Sequence, residues 1–345
     1  MNHNHSLQIS FHPLPPKSRN SIIFASKLFT MGFTAFQGMK PFSQLMFSAF
    51  VILVSFLAFL LIAMLLAIPL FGLDSMMSIP TLGDLSDPES IRVLKYFQVV
   101  QSIGLFIVPP VILAWLFHGK IAEYLNLKRN ATSTSIFLVA ILVFISLPLI
   151  NFIGEWNMRM EFPEFLAGME RWMKNAEENA AELTEAFLTV ETTGGLLFNL
   201  FMIAFLPAIG EELLFRGVIQ RIFTNWTRNH HWGIWISAIL FSALHIQFYG
   251  FVPRMLLGVL FGYLLVWSGS MWLPILAHFF NNGFAVVAMY LVDKEVLNPG
   301  VEEIGATSGS QYAAILSLVL VFLLMYLIKK ENRGNELQPV STQTP

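Results

Sequence analysis

Long apolar runs separated by short polar segments dominate this chain of 345 residues. A helix needs about 20 apolar residues to cross the hydrocarbon core of a lipid bilayer. About eight runs have this character, and they predict an all-α fold, a polytopic membrane helix bundle. Their approximate bounds are Met46–Phe71, Phe97–Phe117, Thr134–Gly154, Gly194–Arg216, Trp232–Gly250, Val252–Trp267, Met271–Val292 and Tyr312–Ile328.

The composition excludes several classes of protein. Only 12% of the residues are charged and 55% are apolar, whereas a soluble domain carries about 25% charged residues. A soluble enzyme and a disordered chain are therefore excluded. The net charge of −2 offers no basic field for nucleic acid. Because the chain has no cysteine, disulfides, thiol nucleophiles and cysteine-bound metals are excluded as well.

Loop charges predict the orientation in the membrane. Residues 1–40 and the segments after the second, fourth and eighth spans are basic, whereas those after the first, third and seventh spans are acidic. Since basic loops favour the cytoplasm, both termini are predicted to be cytoplasmic. Arg254 falls on the predicted outer side, where it would snorkel or line a cavity. The predicted regions are a flexible segment 1–40, a bundle 41–330 with an extramembrane acidic helix at about 160–190, and a disordered tail 331–345.

Ionisable residues inside the apolar runs are concentrated in the fourth, fifth and seventh spans. Glu212 and Arg216 are four residues apart with the acid first, which is the favourable order for a helical ion pair. Glu211 points about 100° away from Glu212 and has no evident partner in the sequence. An alternative remains open, in which both glutamates lie in the headgroup region and only mark the end of a span.

The fifth and seventh spans each contain a histidine. His278 and Asn282 are four residues apart and share one face of a helix, and His245 lies in the fifth span. A single buried histidine is more often a hydrogen-bonded core residue than a ligand. Two of them, together with the unpaired carboxylate of Glu211, favour a functional site. The spacing alone does not show that the three helices converge.

Two chemistries fit these side chains. A water molecule between Glu211 and His245 could be activated to hydrolyse a peptide bond, with the oxyanion stabilised by His278 and Asn282. Alternatively, Glu211, His245 and His278 could bind zinc, which would activate the water instead. The His-Glu-x-x-His zinc motif and the Gly-x-Ser-x-Gly nucleophile motif are both absent from the sequence.

The chain resembles the CAAX protease and bacteriocin-processing family, also called CPBP or Abi, which includes the Ras-converting CAAX endopeptidase. The family pattern is Glu-Glu-x-x-x-Arg, then Phe-x-x-x-His, then His-x-x-x-Asn, each on a membrane helix. The resemblance covers about residues 195–290, and its specificity comes from the ordered triple. The matching residues are Glu211, Glu212, Arg216, Phe241, His245, His278 and Asn282.

The resemblance implies an intramembrane endopeptidase with a cavity open to the cytosol. It implies that Glu211 and His245 activate water, and that His278 and Asn282 stabilise the oxyanion. Members are often labelled metalloproteases, yet the glutamate mechanism resembles this set at least as well, so we expect no cofactor and keep zinc as the alternative. The supporting residues that it implies are Glu212 and Arg216.

The expected partners are membrane lipid and a peptide or protein substrate that carries a lipid in some family members. The expected location is the bacterial cytoplasmic membrane. Two other functions use the same cavity. A non-catalytic immunity or scaffold protein would bind a peptide there, and a transporter would use Glu211 as a proton relay.

Overall fold

The computed structural model describes residues 36–73, 85–301, 303–307 and 309–337, and these ranges contain helices and no strands. Seven of these helices are long and apolar enough to cross a membrane. The predicted all-α polytopic bundle is therefore confirmed, and the chain is a multi-pass integral membrane protein. The helices are α1 Pro41–Phe71, α2 Pro88–His118, α3 Ile121–Tyr124, α4 Ser133–Met158, α5 Ala167–Leu188, α6 Thr193–Thr227, α7 His230–Ala243, α8 Phe251–Ser268, α9 Trp272–Asp293 and α10 Gln311–Glu331, with single 3₁₀ turns at Glu164–Leu166 and Pro299–Val301.

The fifth predicted span, Trp232–Gly250, is wrong in its extent. Helix α7 has 14 residues, which is about 21 Å at 1.5 Å per residue, less than the roughly 30 Å of hydrocarbon. The chain then turns, with Ile246 in the left-handed region at φ +57°. His245 consequently lies in the turn between α7 and α8 and not within a transmembrane helix. The turn is itself largely apolar, so hydropathy does not reveal where α7 ends.

Helix α6 is longer than the predicted fourth span and is irregular in two places. Its first turn is capped by the hydroxyl of Thr192, which accepts a hydrogen bond from the Gly195 amide at 3.0 Å. Two π-helical segments, Leu200–Phe205 and Leu213–Ile219, flank a short α-helical stretch. Such wide turns occur frequently at functional sites. The paired glutamates stand at the end of the stretch between them.

Helices α2 and α6 approach closely at Gly210, immediately before the paired glutamates. A Cβ atom on Gly210 would lie 2.7 Å from Cβ of Phe106 and 3.3 Å from the Phe106 carbonyl carbon. A small residue at a crossing of membrane helices allows the two backbones to come this close. The contact fixes α6 against α2 at the position that presents Glu211.

The substitution Gly210→Ala is expected to lower the free energy of unfolding by about 1–3 kcal/mol, because the added methyl group overpacks the contact with α2. Thermal or denaturant unfolding of the purified protein in detergent measures the change. Gly154→Ala in α4 is the matched control, since a Cβ atom there meets nothing within 4 Å. Equal stability of the two variants would contradict the packing argument.

The acidic helix α5 contacts the turn that holds His245. The rings of Trp172 and Phe248 are 5.4 Å apart, and the carboxylate of Glu177 accepts a hydrogen bond from the Tyr249 amide at 3.2 Å. The predicted acidic helix at about 160–190 is thus present as α5. Its contacts place it over the turn between α7 and α8.

The two ends of the chain differ in how far the structure describes them. Most of the segment 1–40 predicted to be flexible lies outside the described residues, as do residues 338–345. The first part of the predicted disordered tail, residues 332–337, instead contacts the bundle. The Leu337 amide donates to the Val266 carbonyl at 2.8 Å, and Leu337 packs against the hydrophobic core.

Candidate active site

A buried ion pair connects the two ends of the Glu-Glu-x-x-x-Arg motif on α6. Arg216 Nη1 lies 2.8 Å from Glu212 Oε1. The contact is an ion pair without a hydrogen bond, because Nη1 has no hydrogen-bond partner among the described residues. Both side chains are at most 1% exposed. Arg216 Nη2 also donates to the Gly258 carbonyl on α8 at 3.2 Å, and the guanidinium faces the ring of Phe241 at 4.6 Å. The predicted helical pair is present and serves to connect α6 with α7 and α8.

His278 on α9 is held by the same carboxylate. Its Nδ1 lies 2.8 Å from Glu212 Oε1, and its ring stacks on that of Phe261 at a centroid distance of 5.3 Å. Glu212 therefore contacts both Arg216 and His278. The spacing along α6 predicted the first of these contacts, and nothing in the sequence predicted the second. The contact brings the fourth and seventh predicted spans together.

Glu211 lies on the other side of the same imidazole. Its Oε2 is 3.8 Å from His278 Nε2, and its side chain is 12% exposed. This distance is too long for a hydrogen bond. In the part of the chain that the structure describes, no hydrogen bond to Glu211 is formed by another side chain. Its carboxylate thus receives no side-chain hydrogen bond within the described residues, whereas that of Glu212 contacts Arg216 and His278. The role of Glu211 as a base stays a prediction.

His245 stands close to His278 with a phenyl ring between them. Its Nδ1 is hydrogen-bonded to the Phe241 carbonyl at 2.8 Å. The ring of Phe241 is 4.9 Å from that of His245 and 6.1 Å from that of His278. Among the described residues no hydrogen bond or ion pair joins His245 directly to Glu211. The bond to Phe241 orients the imidazole and leaves its Nε2 free.

Asn282 connects α9 with the first π-helical segment of α6. Its amide nitrogen donates to the Ile203 carbonyl at 3.0 Å, and its oxygen accepts from Asn281 at 3.1 Å. An amide nitrogen carries two hydrogens, so one N–H of Asn282 is left for another acceptor. The role of Asn282 at an oxyanion therefore stays a prediction. The structure adds a second role, because the bond to Ile203 joins α9 to α6.

Arg254 belongs to the surroundings of the site, although the loop-charge rule placed it on the outer side of the membrane. It lies in the first turn of α8, and its Nη2 donates to the side chain of Gln247 at 2.8 Å. Its charge acts on both Glu211 and His245. The structure therefore places Arg254 near the candidate site, and both predicted alternatives for its side chain stay predictions. The sequence feature that indicated a functional position for Arg254 is that it is a single charged residue within an apolar run.

The alternative zinc ligands do not form a metal-binding set. Within the described residues there is no group of three or more histidine, aspartate and glutamate side chains that could hold a metal ion. His245 directs its Nδ1 to a backbone carbonyl, and His278 directs its Nδ1 to Glu212, which leaves the Nε2 atom of each ring for another partner. The zinc alternative for Glu211, His245 and His278 therefore stays a prediction.

The segment that contains the candidate site is similar to a known protein family. Residues 193–284 match the family model described as type II CAAX prenyl endopeptidase, Rce1-like. The matched segment contains all three motifs, from Glu211 on α6 to Asn282 on α9. The match confirms, for residues 193–284, the resemblance to the CAAX protease family that the motifs predicted.

One curated relative also shows similarity to part of the chain. It is a protein of Bacillus subtilis (strain 168) named uncharacterized protein YpbD, 31% identical over 85 residues. The aligned region is 24% of this chain and 40% of the relative, so the chain spans less than half the length of that protein. No solved structure matches the chain significantly.

Proposed function

We propose that this protein is a membrane endopeptidase resembling the CAAX prenyl proteases and that it hydrolyses a peptide bond with a water molecule activated by Glu211. The observation that carries the proposal is the contrast between the two adjacent glutamates. Glu212 contacts Arg216 and His278, whereas Glu211 lies beside His278 without a hydrogen bond. A general base must have a free carboxylate oxygen that can accept a proton.

In the proposed reaction Glu211 takes a proton from water while the water oxygen attacks the carbonyl carbon of the scissile bond. The tetrahedral intermediate carries a negative charge on the former carbonyl oxygen. Its collapse breaks the C–N bond, and the nitrogen leaves as an amine after receiving a proton. His245 donates from Nδ1 to a carbonyl, so its unprotonated Nε2 can orient the water by accepting a hydrogen bond from it. Glu211 passes the proton that it took from the water to the leaving nitrogen. No covalent bond to the protein is formed.

The buried cluster can also stabilise the oxyanion of the intermediate. The two carboxylates of Glu211 and Glu212 face the guanidinium of Arg216 and the imidazole of His278. An imidazolium donates at both nitrogens, so the proposed role requires His278 to hold Glu212 with Nδ1 and to direct a protonated Nε2 to the oxyanion. Asn282 supplies its remaining N–H to the same oxygen.

The substrate that we propose is a peptide in the membrane or at its surface, possessing a lipid in the manner of the prenylated peptides of the matched family. We place the protein in a bacterial cytoplasmic membrane because of its similarity to a Bacillus protein. The non-catalytic immunity or scaffold function remains a distinct hypothesis. It requires that Glu211→Gln retain the biological effect, which the protease proposal excludes.

Substrate trapping tests the proposal. Membranes that contain Glu211→Ala are compared with wild-type membranes, and proteins that co-purify with the variant are identified by mass spectrometry. We expect an intact substrate to accumulate with Glu211→Ala and its cleaved form to appear with the wild type. The proposal fails if both proteins retain the same intact species and the wild type does not cleave it.

Removing metal ions is expected to leave the activity unchanged, because the water is activated by a carboxylate in this account. Purified protein is dialysed against a chelator, its zinc content is measured, and cleavage of the trapped substrate is compared before and after. A zinc metalloprotease treated in parallel shows that the chelation worked. Stoichiometric zinc with loss of activity on its removal would support the alternative mechanism instead.

A further inference from the structure

A second polar pocket lies beside Arg216, outside the proposed active site. It has a volume of about 80 Å³ and is formed between the C-terminal half of α6, the start of α7 and the segment that follows α3. This volume is small and suits a group of only a few atoms. Its lining includes the two arginines Arg216 and Arg221, the amides of Asn126, Gln220 and Asn225, Thr224 and His230, together with apolar residues that include Leu265.

The guanidinium of Arg221 is held in place by neutral groups. Its Nη2 donates to the Asn126 oxygen at 2.5 Å, and its plane covers the ring of Tyr124 at 4.6 Å. Among the described residues no carboxylate forms an ion pair with Arg221, and none lines the pocket. The positive charge of Arg221 is therefore positioned without a counterion from the described part of the chain.

The other charges near the pocket leave it positive. Arg216 contributes a second guanidinium, although Glu212 neutralises it. The charges that act on His230 from the C-terminal part of the chain are those of Glu336 and Lys329, which oppose one another. The charge of Arg221 thus remains the uncompensated one, and amide side chains surround it as additional donors.

We propose that this pocket binds a phosphate group, supplied by inorganic phosphate or by the headgroup of an anionic phospholipid. The planar fork of a guanidinium matches the oxygens of a phosphate. Basic pockets between membrane helices on the cytoplasmic side are suited to such headgroups, and the loop charges predict this side for Arg221. Because Arg216 borders both the pocket and the ion pair with Glu212, one side chain separates the phosphate from the proposed active site.

The test measures the thermal stability of the purified full-length protein carrying Glu211→Gln, so that its outcome does not depend on proteolysis. Inorganic phosphate is titrated in detergent against chloride of equal ionic strength. In separate samples, nanodiscs of phosphatidylglycerol are compared with nanodiscs of phosphatidylcholine. We expect phosphate, phosphatidylglycerol or both to raise the unfolding temperature. An effect of phosphatidylglycerol alone identifies the lipid as the source, an effect of phosphate alone identifies the free ion, and an effect of both shows that the pocket accepts the phosphate group from either.

The variant Arg221→Gln is expected to weaken the apparent affinity about tenfold or more, since a charge-assisted hydrogen bond is lost. Arg228→Gln is the matched control, because Arg228 is an exposed residue at the end of the same helix and does not line the pocket. Asn225→Asp adds a carboxylate to the pocket and is expected to abolish the effect if Arg221→Gln does not fold. The proposal is overturned if neither probe stabilises the protein, or if the pocket variants respond as Arg228→Gln does.

Discussion

Replacing Glu211 by Gln is expected to reduce peptide cleavage by about 10²–10⁴-fold, the usual contribution of a general base. The amide keeps the size of the side chain but accepts no proton from water. The contacts that hold the helices together do not involve Glu211, since Glu212 makes the ion pair with Arg216 and the hydrogen bond to His278. The measurement is kcat/KM of the purified variant on the substrate found by trapping.

A matched control separates the loss of a catalytic group from the loss of a charge. Glu182→Gln removes a carboxylate from the exposed face of α5 and is expected to keep the wild-type rate. The unfolding temperature of Glu211→Gln should equal or exceed that of the wild type, because a weakly bonded buried carboxylate costs stability. Wild-type cleavage by Glu211→Gln would reject Glu211 as the base.

Replacing Arg216 by Met is expected to destabilise the protein by about 3–5 kcal/mol, because removing one member of a buried ion pair leaves the other charge without compensation. Glu212 is fully buried and would retain only His278 as a partner. The Met side chain fills similar space, so a cavity contributes little. The free energy of unfolding in mixed micelles measures the effect.

The control for this prediction is an ion pair with the same spacing at the surface. Lys174 and Glu170 on α5 are also four residues apart and 2.8 Å from one another, but the lysine side chain is 54% exposed. Exposed pairs contribute little to stability, so Lys174→Met is expected to cause no measurable change. If Arg216→Met and Lys174→Met behave alike, the buried pair does not hold the helices in the way described.

The fold could be predicted from the sequence wherever a span is a long helix. Hydropathy found α1, α2, α4, α6, α8, α9 and α10, because burial in lipid requires about 20 apolar residues in succession. It failed at α7, where the apolar run continues through the turn that contains His245. Hydropathy reports the solvent around a segment and not the path of its backbone.

The sequence predicts which residues belong to the candidate site, but it predicts only part of the geometry that relates them. The pair of Glu212 and Arg216 follows from helical periodicity, which is a local property. The contact of Glu212 with His278 and that of Asn282 with Ile203 join helices far apart in the chain. Spacing carries no information on such contacts. The π-helical segments of α6 also have no evident signal in the sequence, and they alter which side chains face the neighbouring helices.

A double-mutant cycle of Glu211→Gln and His245→Asn tests the central claim most directly, because both residues are proposed to act on one water molecule. Groups that act as a unit show losses that are far from additive. We expect each single variant to lose about 10²–10⁴-fold in kcat/KM and the double variant to lose no more than about tenfold beyond the poorer single variant. Losses that multiply, or an unimpaired single variant, would contradict a shared activated water.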